Sequence, residues 1–489
     1  MMKLNKKNLS LIKNKKYIPL YNIDKIKPGI IHFGVGNFHR AHQAYFINRL
    51  IEKTKKNIAI IGISLRSEAT KNNLLVQNNL YTLCKLSDVE ENFTIISAIK
   101  EILFAPDEVE TILTYISNQN IKIITITVTE NGYKYDPKKD SLILDDDING
   151  DLENRNTKTL VGFIAKGLKR RYNHNKAPLS IISCDNLSDN GKILKKLVLQ
   201  FLSFYSPHII KWVEKNVDFP NTMVDGIVPK QSLESSKIVK NKLSIIDQSA
   251  IITEPYVKWY IETENKDLVN LLKESDIKFV NNVTFYEDIK LKILNASHSA
   301  LSYSGLLIGY KYVHEVINDP VCFKFITKFL ENEVFPILTA PDDFDIVGYK
   351  EIILNRFKNQ FIKDNISRIS MDGSYKIKIR FMDTLIRNLE QKRKVKYIYF
   401  IIASWFKFLH GKDENNNIIE IIDPKKNDID KMIKESINDN DLIKKFMNYK
   451  FVFDLTQSNQ LEVIKNIKKY LLLINQHGII KTLSKLNYD

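Results

Sequence analysis

Residues 30–46 read IIHFGVGNFHRAHQAYF. An apolar, β-branched run, Ile30–Gly34, reads as a strand, and Phe38–Lys53 reads as a helix. Between them stand Gly34 and Gly36. Strand, glycine turn and helix in this order is the context of a dinucleotide-binding unit. Gly34 suits the tight turn. Gly36 lets the backbone approach a pyrophosphate held by helix N-terminal amides. His39 stands where a third glycine often lies.

Further strands follow at Ile58–Ser64, Ile121–Val128 and Leu179–Cys184. These are continuous apolar runs, the pattern of a parallel sheet covered on both faces. Alternation of strands with helical segments predicts a doubly wound α/β fold. The stretch Asp136–Gly150 reads as an exposed excursion. From Tyr286 onward the chain reads mostly as helices, which predicts an α/β domain over residues 1–285 and a predominantly helical domain over 286–489. No internal repeat is visible.

A length of 489 residues allows large cores without disulfides or metals. Hydrophobic residues at 44 % exclude a disordered chain, and 16 Gly, 13 Pro and 3 Cys exclude collagen-like and disulfide-scaffold classes. Cys84, Cys184 and Cys322 lie far apart with no CxxC pair, so a reducing, cytoplasmic setting is expected. The N-terminal stretch has no apolar signal-like run. The densest apolar run, Tyr397–Phe406, has 10 residues against the about 20 that span a bilayer, so no membrane partner is expected. The net charge of +16 invites nucleic acid. However, the lysines are spread among Asn and Ile along the chain. The clusters Lys169-Arg170-Arg171 and Lys392-Arg393-Lys394 are short and read as solvated helix faces. No nucleic-acid partner is expected. The alternative from another class is a catalytically idle nucleic-acid binder on the same fold, and the charge is its support. A monomer and a dimer are both open.

Residues 290–298 read KLKILNASH. At about 100° per helical residue, Lys290, His298 and Asn295 share one face. Leu291, Ile293, Leu294, Ala296, Ala300 and Leu301 lie all round the same helix, which should therefore be buried. Buried polar side chains need partners or cost heavily. Two apparent metal motifs fail. Asp145, Asp147, Asn149 and Gly150 open like a calcium loop, but Asn156 stands where a bidentate Glu is needed. His314-Glu315 opens like HExxH, but the fifth position is Asn318. No metal site is expected.

The stretch GVGNFHRAHQ, residues 34–43, resembles the GxGxFHRxHQ hallmark of the polyol-specific long-chain dehydrogenase/reductase (mannitol dehydrogenase) family. Lys290, Asn295 and His298 match that family's K-x4-N-x2-H signature. Other blocks match in chain order: Thr127–Tyr133 (TVTENGY), Ser183–Asn186 (SCDN), Asn221–Asp225 (NTMVD), Gly309–Glu315 (GYKYVHE) and Arg368–Lys376 (RISMDGSYK). The resemblance implies a Rossmann-like domain followed by a helical one, and metal-independent, NAD-dependent oxidation of a sugar alcohol to a ketose and the reverse. It makes Lys290 the general acid/base. Asn186 and Asn295 stabilise the oxyanion, and His298 positions the hydroxyl. Asp225, Arg368 and Lys376 lie around the substrate. Gly34, Gly36, Asn37, Phe38, Arg40, Glu68 and Thr129 lie at the cofactor. GYKYVHE is most similar to the mannitol 2-dehydrogenases of that family, which points to D-mannitol and D-fructose. Fructuronate reduction, D-arabinitol 4-dehydrogenation and sorbitol oxidation stay open. Relatives often carry an acidic pair after the second strand, where this chain has Glu68-Ala69, so NAD is expected with NADP left open. Gly226 stands where relatives usually have Arg, which removes one charge near the substrate region.

Overall fold

The apolar runs pair as one six-stranded sheet built from β1 (Pro28–Phe33), β2 (Ala59–Ser64), β3 (Ile99–Phe104), β4 (Ile123–Ile126), β5 (Leu179–Ser183) and β6 (Val217–Asp218). The order across the sheet is β3-β2-β1-β4-β5-β6, and every pairing is parallel. Ile31 stands opposite Ile61 on one side and Ile124 on the other. The winding reverses between β1 and β4, which places a ligand crevice at the carboxyl ends of those strands. Alternate residues feed two cores. Ile31, Phe33, Ile61, Ile63, Ile124 and Ile126 share one with residues of the helices Val109–Ser117, Leu160–His174 and Asn190–Tyr205. Ile30, Ile60, Ile123 and Ile182 share the other with residues of the helix Gln43–Thr54.

The computed structural model describes residues 2–153, 156–229, 233–342 and 344–488. The chain divides into two compact units, Met1–Thr284 and Phe285–Asp489. The first holds the parallel sheet and smaller sheets, including one of Asn221–Asp225, Lys258–Glu262 and Lys278–Val280. The second is helical throughout its named elements. Its helix Ala296–Ile308 is buried on nearly all sides and packs on Ile366–Ser370 and Tyr397–Phe408. The apolar run flagged in the sequence is thus a core helix. Buried Glu333 caps it, accepting the N–H groups of Lys396, Tyr397 and Ile398 at 2.6, 2.7 and 2.9 Å. No described helix is long and apolar enough to cross a membrane.

The structure corrects several local expectations. The helix expected over Phe38–Lys53 breaks at His42, which leaves helical geometry at φ −119°, ψ −87°. The His42 Nε2 lies 2.9 Å from the Lys258 carbonyl, and its ring packs among Phe38, Phe46 and Trp259. These tertiary contacts outweigh helix continuity. The stretch 136–150 is no loose excursion, because Leu142 and Ile148 are buried in the core. Asp145, the apparent first calcium ligand, instead caps the helix Asp146–Leu152 by accepting the Ile148 N–H. Arg171 is not on a solvated face. It is fully buried and donates to five main-chain carbonyls, those of Ile116, Asn118, Ile121, Ala177 and Pro178. That uses the whole donor capacity of a guanidinium.

Candidate functional site

A cavity of about 520 Å³ opens where the sheet order reverses. Gly34 and Gly36 after β1, Ser64–Ser67 and Thr70 at and beyond the end of β2, Ala105 and Pro106 after β3, and Thr127 and Val128 after β4 line it. Lys134, Asp147 and residues 156–160 close another side. Gly34 sits at φ +96°, and a Cβ there would lie 2.1 Å from the Thr127 carbonyl oxygen. Only glycine fits that turn. At Gly36 a Cβ would meet nothing nearer than 3.9 Å, so the space beside it is the cavity itself. Such a cradle fits the close backbone approach that a pyrophosphate needs. Beneath the turn, His32 bonds Thr125 Oγ1, Thr127 Oγ1 and the Gly34 carbonyl at 2.8, 2.9 and 3.1 Å, and its ring stacks 3.4 Å from His39. Burial pushes His32 down to about 3, so it is neutral near pH 7 and braces the turn.

Of the other residues expected at the cofactor, Asn37, Phe38, Arg40, Glu68 and Thr129 do not line the cavity. Arg40, expected to face the cofactor, is tied to protein groups. Its guanidinium is buried and donates to the Ser249 carbonyl at 3.0 Å and to Asn37 Oδ1 at 2.8 Å. Asn37 also donates to the Pro229 carbonyl, and Phe38 stacks on His42. Glu68 is the N-cap of the helix Ala69–Leu75, while Arg66, Ser67 and Thr70 beside it reach the cavity wall. Thr129 is exposed, and its N–H is held by Asp185. Asn186 is exposed just after that aspartate. Asp225 closes the strand Asn221–Asp225 and is buried.

In the helical unit, Lys290 and Asn295 open and close a π-helical turn, Lys290–Asn295, and the helix Ala296–Ile308 carries His298. The angles of an α-helix therefore do not apply between Lys290 and Asn295. A π turn bonds residues five apart, so the wider turn rotates Asn295 back toward Lys290. Lys290 is 9 % exposed, and the His298 ring lies 4.4 Å from that of Phe357. Lys292, on the same turn, is locked by Asp288 at 2.5 Å and Asp383 at 2.8 Å. Arg380 lies on a second π turn, Lys378–Met382, and donates to the Asn295 carbonyl and to Ser299 Oγ, both at 2.8 Å. Burial lowers it to about 10, still a cation.

The Arg368–Lys376 block splits into fold and site. Asp372 is left-handed at φ +57°, Gly373 admits the Trp405 indole, and Ser374 bonds Asp423 through N–H and Oγ at 2.8 and 2.6 Å. Arg368 is exposed and pairs with Asp364 at 2.5 Å. Lys376 donates to the Ile369 carbonyl at 3.1 Å. Burial first, then the charge of Arg380, pushes it down to about 8. Two residues that sequence reasoning passed over stand out. Asp185 anchors the loop after β4, and Arg380 anchors the π turn. Asp185 lay inside a quoted block, and Arg380 repeats the charge of Lys376 four residues on along a buried helical stretch.

The chain is similar to known proteins over its whole length. Residues 28–272 match the mannitol dehydrogenase Rossmann domain and residues 282–474 the mannitol dehydrogenase C-terminal domain. A mannitol 2-dehydrogenase of Aspergillus fumigatus is 33 % identical over 99 % of both chains. A polyol:NADP oxidoreductase of Gluconobacter oxydans is 32 % identical over 83 % of this chain and 85 % of its own. Among solved structures, the Pseudomonas fluorescens mannitol 2-dehydrogenase in ternary complex with NAD and D-mannitol superposes with a TM-score of 0.85 at 30 % identity, over 99 % of both chains. A substrate-free D-sorbitol dehydrogenase gives 0.88 at 28 % identity, over 99 % of this chain and 100 % of that one.

Proposed function

The chain belongs to the mannitol dehydrogenase family, oxidoreductases acting on CH–OH groups, and from that premise we propose that it interconverts D-mannitol and D-fructose with NAD(H) and no metal. The observation that carries this reading is the set of Lys290 and Asn295 on one π turn and His298 on the helix that continues it, in a chain alike over its whole length to mannitol 2-dehydrogenases. When bound, the nicotinamide takes hydride from the substrate carbon. The unprotonated Lys290 amine accepts the proton of the reacting hydroxyl. The Asn295 and Asn186 amides donate to that oxygen as it gains charge. His298 orients the hydroxyl, and Asp225, Arg368 and Lys376 hold the remaining polyol. In the reverse direction the Lys290 ammonium returns the proton to the carbonyl oxygen.

Likeness over 99 % of both chains to a mannitol 2-dehydrogenase favours a neutral polyol over a hexuronate. Arg368 is neutralised by Asp364, and Arg380 is engaged by the Asn295 carbonyl and Ser299. Neutral partners leave the Arg380 charge in place, and Lys376, bonded to the Ile369 carbonyl, adds another, so a hexuronate belongs in the test. Glu68 beside the cavity supports NAD, while Arg66 on its wall gives a 2′-phosphate some purchase. The test is kcat/KM for fructose, fructuronate, arabinitol and sorbitol with each dinucleotide. Fructose with NADH should lead, and a lead for fructuronate would replace mannitol by mannonate as the partner alcohol.

A further inference from the structure

Thr129 has φ +67° and ψ 163°. That region is essentially reserved for glycine, and a β-branched residue held there stores about 1–3 kcal/mol of strain. The strained residue is held by a neighbouring carboxylate. Asp185 accepts two successive backbone N–H groups, that of Val128 on Oδ2 at 3.0 Å and that of Thr129 on Oδ1 at 2.9 Å. Held on two successive N–H groups by one carboxylate, the chain is fixed immediately before the strained residue. The Tyr133 hydroxyl donates to the same carboxylate at 2.7 Å and lies 2.6 Å from Ser183 Oγ. Among the described residues no cation pairs with Asp185; burial raises its carboxyl, and these three donors offset the cost.

The clamp joins two parts of the sheet that the cavity depends on. Thr127, Val128 and Gly132, on the clamped loop, line the cavity, and the Thr127 carbonyl is the wall that forces glycine at position 34. Just beyond β5, Asp185 accepts through its carbonyl from the Leu187 N–H at 2.9 Å and from Asn190 Nδ2 at 3.1 Å, which fixes the chain on either side of Asn186. We propose that Asp185 is a positioning residue: by gripping Val128 and Thr129 it sets the dinucleotide-facing wall after β4 and, through its own backbone, the place of Asn186. This rests on the dinucleotide reading of the cavity. Glycine at 129 would remove the strain at no steric cost, but it would also leave the wall free to move.

Asp185→Asn keeps the size but offers one acceptor oxygen and sets an amide N–H₂ against a backbone N–H. NADH titrated by fluorescence should bind about tenfold more weakly, a difference of about 1.4 kcal/mol, with kcat lowered and the melting temperature reduced. Adding Thr129→Gly to that variant should recover melting temperature while dinucleotide affinity and kcat stay low. Parallel recovery of all three would make Asp185 merely structural and overturn the proposal, as would wild-type affinity in Asp185→Asn. Should Asp185→Asn not fold, Tyr133→Phe removes one donor and leaves both N–H bonds. It should weaken NADH binding a few-fold, and unchanged binding there overturns the proposal. A wild-type chain that binds neither NADH nor NADPH would sink the dinucleotide reading itself, a result distinct from every variant outcome.

Discussion

Lys290 carries the heaviest demand of any single residue. An ordinary lysine has a pKa of about 10.4 and is protonated at neutral pH, whereas an efficient base needs a pKa of about 7–8. Lys290 is 9 % exposed, and burial disfavours an ammonium. Its neighbour Lys292 cannot substitute, because Asp288 and Asp383 hold its ammonium. Lys290→Ala should therefore cut kcat by about 10² or more while the NADH dissociation constant stays at its wild-type value, and primary amines should restore part of the rate. Near-normal turnover with every polyol and ketose would place the base elsewhere. Lys376 sets a pH limit of its own. Burial and Arg380 push it down to about 8, so its charge is lost as pH rises through that value. KM for the polyol should climb above pH 8, and Lys376→Met should show a high, flat KM. Stability runs the other way: the unfolded chain keeps the Lys376 proton up to about pH 10.4, so from about pH 8 to that point it binds more protons than the folded state, and stability rises with pH. At the cavity, Ala69→Asp adds a second carboxylate beside Glu68 and should raise the NAD-to-NADP ratio of kcat/KM, since a 2′-phosphate is then repelled twice. An unchanged ratio would mean that residues 66–69 do not meet the ribose.

At the scale of elements, the strands were legible and the helical details were not. A strand buried on both faces writes itself as a continuous apolar run, so β1, β2, β4 and β5 are visible in the sequence. A break at His42 leaves no such mark, because the Lys258 carbonyl that holds the ring lies 216 residues away. The π turn Lys290–Asn295 is hidden for a similar reason. Among the described residues there are two more, Leu330–Val334 and Lys378–Met382, and both pack on the first. Each carries a buried polar group that holds main-chain atoms of a neighbouring helix. Arg380 holds the Asn295 carbonyl, and Glu333 holds the start of Tyr397–Phe408. Glu333→Ala would strip three N–H groups at a buried helix start of their acceptor. The loss should be roughly 2–4 kcal/mol, more than an exposed cap costs, and is read by urea denaturation. Burial raises the Glu333 carboxyl from its ordinary value of 4.5 to about 7. The folded state thus holds the extra proton between those values. Stability should fall as pH rises across that window and level off above it, and Glu333→Gln should flatten the slope.

Across the whole molecule, what sequence shows well is chemistry written in side-chain types at fixed spacing. The glycine turn, the Lys290–Asn295–His298 signature and the passage from α/β to helical elements are of that kind. Arg40, Arg171, Asp185 and Arg380 act on main-chain groups. Backbone carbonyls and N–H groups are the same for every residue, so their partners leave no pattern to read. The same distinction bears on the metal question. An alkoxide in a dehydrogenase can be stabilised by zinc or by protein donors. Zinc at a catalytic site wants three protein ligands from thiolate, imidazole or carboxylate. No group of three or more His, Cys, Asp or Glu able to hold an ion occurs among the described residues. The three cysteines are free and buried, and burial pushes the Cys84, Cys184 and Cys322 thiols up, away from the thiolate that metals bind. In the proposed mechanism the donors are the amides of Asn295 and Asn186, and removing one such donor elsewhere costs about 10²–10³ in kcat. Prolonged dialysis against EDTA or phenanthroline should therefore leave kcat unchanged, while Asn295→Ala should lower it by about 10² with or without chelator. Activity that is lost on chelation and returns with added zinc would overturn the amide mechanism and leave the fold standing.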